Sequence, residues 1–108
     1  MVTHLTLTLS GAAQVLNTAL ATGQRVGLLK QIILQADGAN ANVIYVGGTG
    51  PAASTAAVSS SAYGFRIEVP VTTVPAAPTI IEAMNTSLAD WQVIGTNTQK
   101  LHITLITA

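Results

Sequence analysis

The chain has 108 residues, and only eight carry a formal charge: Arg25, Lys30, Arg66 and Lys100 against Asp37, Glu68, Glu82 and Asp90, for a net charge of zero. That is 7% charged, where an ordinary soluble domain is about one-quarter charged. The balance excludes a basic footprint for nucleic acid. The absence of Cys excludes disulfides, thiolate metal sites and thiol nucleophiles, and no apolar run approaches the ~20 residues of a membrane-spanning helix.

The length predicts one domain over residues 1–108, able to bury about two-thirds of its unfolded surface without staples. The start, Met1-Val2-Thr3-His4-Leu5-Thr6, lacks a basic segment and an apolar segment, which predicts no signal peptide. Thr3 to Leu9 alternates, with Leu5, Leu7 and Leu9 on one face and His4, Thr6 and Thr8 on the other. Period two in β-branched company predicts a half-buried strand. Ala12 to Ala21 is compatible with a helix, but ten residues between glycines make a weak one. A short strand over Ala13–Leu16 followed by a loop is the preferred reading.

Arg25 to Ala36 reads as a long strand, with Leu28, Ile32 and Leu34 on one face and Leu29 and Ile33 on the other. Apolar residues on both faces predict a central strand covered on both sides. Asp37 to Asn42 is turn chemistry. Val43 to Val46 then reads as the return strand, so Arg25–Val46 is expected to be a hairpin.

Residues 48–62 are the one low-complexity stretch, rich in Gly, Ala, Ser and Thr with a single Val58. Such a composition predicts a long exposed, flexible loop. Tyr63 to Val69 alternates, with Phe65, Ile67 and Val69 inward and Arg66 and Glu68 outward. Pro70, Pro75 and Pro78 bracket a connection unsuited to a central strand. Thr79–Ala83 is a short strand, and Asn85-Thr86-Ser87 a turn. Leu88-Ala89-Asp90 leads into a strand over Trp91–Gly95, and Thr96 to Gln99 turns into a last strand, Lys100 to Thr107. The whole predicts an all-β, single-domain antiparallel β-sandwich or jelly-roll-like barrel of about seven to nine short strands.

Ionisable groups in sites cluster and shift each other, and this chain has few to cluster. His4 and His102 lie on the outward faces of the terminal strands, where pairing of those strands would make them neighbours. They read as a metal or pH-sensitive pair, or as two solvated or interface residues; with no carboxylate near them in sequence, the second reading is preferred. Arg66 and Glu68 share a strand face and read as an ion pair, at the surface or between subunits. Asp90 beside Trp91 suggests a sugar platform, but a core Trp91 with Asp90 capping the turn is preferred. Gly47-Gly48-Thr49-Gly50 lacks the spacing of a phosphate loop and has no helix after it. These readings predict no catalytic site, no cofactor and no metal.

Two segments carry a resemblance. One runs from Leu29 to Asp37 (LKQIILQAD) and on through Asn40 to Gly48 (NANVIYVGG). The other is Leu88 to Thr96 (LADWQVIGT), followed by Lys100 to Ile103 (KLHI). Together they resemble small virion structural proteins of tailed bacteriophages. The motifs cover the middle and C-terminal parts and mark strand–turn–strand patterns, so nothing catalytic is implied. The resemblance implies a β-sandwich or jelly-roll-like fold and a capsid decoration, or cement, role. Such a protein is made in the host cytoplasm and sits on the outer surface of the head. Its partners are then the major capsid protein and other copies of itself, with a trimer favoured. The alternatives are a receptor- or glycan-binding module of a fibre or spike, and a ring component of the head–tail region.

The candidate assembly contacts are Arg66, Glu68, His4, His102, Gly50, Pro51 and Val58. The departure from the family is the stretch from Gly48 to Ala62, taken as an arm that orders against the shell. Deleting it is expected to lower particle occupancy or heat resistance; unchanged occupancy and unchanged particle stability would remove that role from it.

Overall fold

The computed structural model describes residues 1–40, 42–48, 59, 63–70 and 76–107. Among them run eight strands: β1 (Val2–Thr8), β2 (Gln14–Val15), β3 (Leu29–Ala36), β4 (Ile44–Gly48), β5 (Phe65–Ile67), β6 (Thr79–Thr86), β7 (Trp91–Ile94) and β8 (Lys100–Thr107). They form two four-stranded antiparallel sheets, ordered β1-β8-β3-β6 and β2-β7-β4-β5. The only helical pieces described are short 3-10 turns at Leu16–Ala19 and Leu88–Asp90. The architecture is an all-β sandwich.

The strand order has a simple logic. β1 pairs β8, β2 pairs β7, β3 pairs β6 and β4 pairs β5. The chain is one long antiparallel ribbon, folded at the β4–β5 end and wound round itself. Winding brings β8 against β3 and β7 against β4, which completes both sheets. This is the order of an eight-stranded jelly roll.

Between the sheets lies one core. The first sheet supplies Leu7, Leu29, Ile32, Leu34, Ile81, Leu101, Ile103 and Leu105; the second supplies Ile44, Val46, Ile67 and Val93; Leu9, Leu16 and Leu88 close it from the connections. The inward residues of β1 and β8 follow the strict alternation expected of a half-buried strand.

Three expectations are corrected. Arg25–Val46 is not a hairpin: β3 and β4 lie in different sheets, and the turn residues after β3 carry the chain across the sandwich. Proximity in sequence favours pairing, but β3 gains more by lying between two long apolar strands. The third strand is also shorter than read, Leu29 to Ala36, and its face pattern differs. Leu28 lies outside the strand with 57% of its surface exposed, while Leu29 is fully buried. The reason is a bulge: Leu29 opposes Thr107 and Gln31 opposes Ile106, so β3 carries one residue more than β8 there. An extra residue flips the alternation, and Leu29 joins Ile32, Leu34 and Ala36 inside. The strand is central, but Ile33 and Gln31 on its outer face are only half-buried.

The expected turn over Asn85-Thr86-Ser87 is likewise displaced. Asn85 and Thr86 belong to β6, which runs to Thr86. Met84 and Asn85 take positive φ of 48° and 64°, and the register against β3 jumps from Glu82 to Thr86. Asn favours the left-handed region, and here that preference makes an irregular edge rather than a chain reversal. Gly48 closes β4 opposite Trp91; apart from it and Ser59, the expected 48–62 loop lies outside the described residues.

With few charges, side-chain amides complete the main-chain hydrogen bonding. Asn40, 7% exposed, acts as a strand neighbour to Lys100: its Nδ2 donates to the Lys100 carbonyl at 2.7 Å, and the Lys100 amide donates to its Oδ1 at 3.1 Å. Gln14 accepts from the Ser10 amide and Gln24 from the Ala21 amide. Gln35 donates to the Ala76 carbonyl at 2.7 Å. Among the described residues no buried side-chain nitrogen or oxygen lacks a partner.

Asn40→Ala takes the acceptor from the Lys100 amide, while the Lys100 carbonyl keeps the Asp37 amide at 3.2 Å, and is expected to cost about 1–3 kcal/mol. Leu105→Ala opens a cavity under the same strand and is expected to cost about 2–5 kcal/mol. Urea unfolding monitored at Trp91 checks both.

Candidate interaction surface

The outer face of the first sheet holds two of the residues singled out from sequence, His4 and His102, while Arg66 lies in β5 of the second sheet with Glu68 just after it. β1 and β8 pair in unbroken register, with His4 opposite Thr104 and Thr6 opposite His102. The two imidazoles are therefore diagonal neighbours on one face, as strand pairing required. Each bonds a threonine across the ladder: His4 Nδ1 lies 3.0 Å from Thr104 Oγ1, and His102 Nδ1 lies 3.3 Å from Thr6 Oγ1.

What sequence spacing hid is a carboxylate. Asp37 follows β3, and its Oδ1 lies 2.7 Å from His102 Nε2. Asp37 and His102 are 65 positions apart and meet because β8 inserts beside β3. The His102 hydrogen bond, followed by the amide of Ala39, lowers the Asp37 pKa below its ordinary value. With Nε2–H donating to Asp37, a neutral His102 leaves Nδ1 to accept from the Thr6 hydroxyl. Carboxylate, imidazole and hydroxyl thus line up in the order of a nucleophilic triad. The setting differs: Thr6 and His102 stand on an open sheet face, and the cleft beside Asp37 is lined by Ala39, Asn40, Thr98, Gln99 and Lys100, not by either of them. Among the described residues no three His, Asp or Glu side chains group for a metal.

The remaining carboxylates are also engaged. Glu68 pairs Arg66 at 2.9 Å with both side chains at least half exposed. Glu82 accepts from Gln31 at 2.8 Å. Asp90 accepts the Ser87 amide at 2.8 Å while Ser87 accepts the Ala89 amide, a capping box over the short turn. Asp90 is therefore a cap, as preferred from sequence. Gly50, Pro51 and Val58 lie outside the described residues.

Trp91 is half-buried against the core, tilted on Phe65 with centroids 6.3 Å apart, and its indole N–H donates to Thr86 at 3.0 Å. The more open aromatic pair is Tyr45 and Tyr63, 4.7 Å apart on the outer side of the second sheet. Sequence gave no signal for it, since the two tyrosines meet only through the β4–β5 fold.

An apolar stripe completes the first sheet's outer face. Val2 opposes Ile106 and Ile33 opposes Ile80. Ile106 opposes Gln31, two residues before Ile33, so the pairs join diagonally. The stripe crosses β1, β8, β3 and β6 with one residue from each. Val2 and Ile80 are each more than half exposed.

No protein-family model, curated protein or solved structure matches this chain.

The lowered Asp37 pKa sets a sign for stability against pH. Its contribution is fully present above the ordinary carboxylate range, near pH 4, and is lost as pH falls through the lowered folded value. Asp37→Asn is expected to be less stable than the parent at neutral pH and to converge with it below about pH 4. Thermal melts across that range check this; parallel curves at all pH values would contradict it.

Proposed function

We propose that this chain is a non-enzymatic structural protein of a bacteriophage virion. In this reading it is a decoration protein that binds the major capsid protein on the outer surface of the head, self-associates, and stabilises the shell by bridging its subunits. One observation carries the reading: a single sheet face crosses four strands with Val2, Ile106, Ile33 and Ile80 in a stripe, in a chain whose four carboxylates are all engaged internally. Covering such a face removes apolar area from water, and Glu82, the carboxylate in β6 beside the stripe, is already bonded to Gln31, which limits the desolvation cost that charged interfaces carry. Stable obligate interfaces bury on the order of 2,000 Å² or more and are apolar. The jelly-roll order is also used by viral shell proteins and lectins, which makes it compatible with the role; fold by itself carries no function.

The Asp37–His102–Thr6 chain fits the same reading as a structural latch between β3, β8 and β1. The Tyr45–Tyr63 pair favours one competing reading, a receptor- or glycan-binding module on a fibre or spike, because exposed aromatic faces stack on sugar rings. Trp91 has a weaker claim to that role, being held by Phe65 and Thr86.

Averaged images of particles carrying the protein decide between locations. Copies spread in the hundreds over the shell support decoration, whereas about six to twelve copies at one vertex make it a ring component. Ile80→Lys, at an exposed position, is expected to change stability by under about 0.5 kcal/mol while lowering shell occupancy. Full occupancy would take the stripe out of the interface. A saccharide-dependent change in tyrosine emission would move the assignment to the glycan-binding reading.

A further inference from the structure

Among the described residues each sheet of the sandwich has two edge strands, and an edge strand offers unpaired N–H and C=O groups to any passing chain. Three of the four edges are blunted. β2 has two residues and β5 has three, the latter with Arg66 in it and Glu68 beside it. β6 is longer, but Glu82 stands in its middle and Met84 and Asn85 break it with positive φ. β1 is different. It has seven residues, Val2-Thr3-His4-Leu5-Thr6-Leu7-Thr8, with no Lys, Arg, Asp, Glu, Pro or Gly. Its register against β8 is unbroken throughout.

The free side of β1 is defined by its bonded side. Met1 exchanges both main-chain hydrogen bonds with Thr107 at 2.9 Å, and the Leu9 amide donates to Gln99 at 2.8 Å. Bonding alternates along an antiparallel strand, so the odd residues face β8. The main-chain groups of Val2, His4, Thr6 and Thr8 therefore point to the open edge.

We propose that this edge pairs with the β1 edge of a second copy, antiparallel across a two-fold axis at Leu5. Only this register uses all seven residues: Val2 opposes the partner's Thr8, His4 opposes the partner's Thr6, and Leu5 opposes itself. It also repeats chemistry the molecule already uses, since His4 and Thr6 oppose Thr104 and His102 within the sheet. No like charges meet. The two first sheets become one continuous eight-stranded sheet, and the apolar stripes of both copies lie on the same side of it. Such a contact uses the same patch on both copies, so the assembly holds an even number of chains. A trimer of the kind implied by family resemblance would be joined in pairs, giving six. The inference stands independently of the virion role.

Mass in solution tests it. The protein is expected at two chains or a multiple of two. Thr6→Pro removes an outward N–H without touching the β8 ladder, and Thr6→Lys places a charge on the edge; each is expected to halve the mass with the far-ultraviolet spectrum retained. If the proline variant fails to fold, the lysine variant carries the test. The register has its own probe in a chain without Cys. Leu5 sits at a non-bonded pair across the axis, where Cα atoms are about 4.5 Å apart, inside the disulfide range. Leu5→Cys is expected to form a disulfide-linked dimer on mild oxidation, and Thr3→Cys, which faces Leu7 of its partner, is not. A single chain at high concentration, an odd number of chains, or an assembly unmoved by both Thr6 variants would overturn the proposal.

Discussion

Strand β8 holds the sandwich together. It is paired along its length on both sides, with β1 and with β3, and Leu101, Ile103 and Leu105 send their side chains fully into the core. Because β1 and β8 are about a hundred residues apart, the first sheet forms only when distant segments meet. The pairing of β1 with β8 and of β3 with β8 is non-local, so ordering a long chain precedes most of the gain. Four of the juxtapositions on that sheet follow from the insertion of β8, while Ile33 meets Ile80 through β3–β6 pairing. The insertion sets His4 beside Thr104, His102 beside Thr6, Asp37 beside His102, and Val2 beside Ile106.

Scarcity of charge shapes how the chain satisfies its backbone. Where many proteins use ionised caps and surface pairs, this one relies on neutral amides: Asn40 at the start of β8, Gln14 and Gln24 in the connections, Gln35 against Ala76. The charged side chains that remain are local in action. Arg66 and Glu68 pair across two residues, and such an exposed pair contributes about 0–1 kcal/mol. Asp90 closes a cap, and Asp37 ties β3 to β8. The surface left over is threonine, alanine and aliphatic. A surface of this kind has little electrostatic repulsion to keep copies apart, and the roles proposed for the apolar stripe and for the β1 edge both rest on that.

Much of the fold was legible in the sequence. Alternation located β1 and β8 almost to the residue, because one face of each is buried and the period of two is then enforced. The short strand near Gln14, the Trp91 strand and the turn before Lys100 were legible too, from turn residues and β-branched runs. The Asp90 cap was readable because its partner, Ser87, is three residues away. The two differences at β3 share one cause: the bulge that sends Leu29, not Leu28, inside depends on the partner strand, and the β3–β4 pairing expected from sequence fails because only local pairing is visible there.

The sequence by itself determined that the chain is a charge-poor, all-β domain of short strands marked by alternating apolar residues and turn signals. Those are properties of residue type and period, carried by side-chain chemistry alone. Only the tertiary structure decided that β8 lies between β1 and β3, that Asp37 meets His102, that Tyr45 meets Tyr63, and that β1 is left as the unguarded edge. Each depends on which strands become neighbours across long stretches of chain. That choice is made by the burial of both sheets around one core, and no local pattern encodes it.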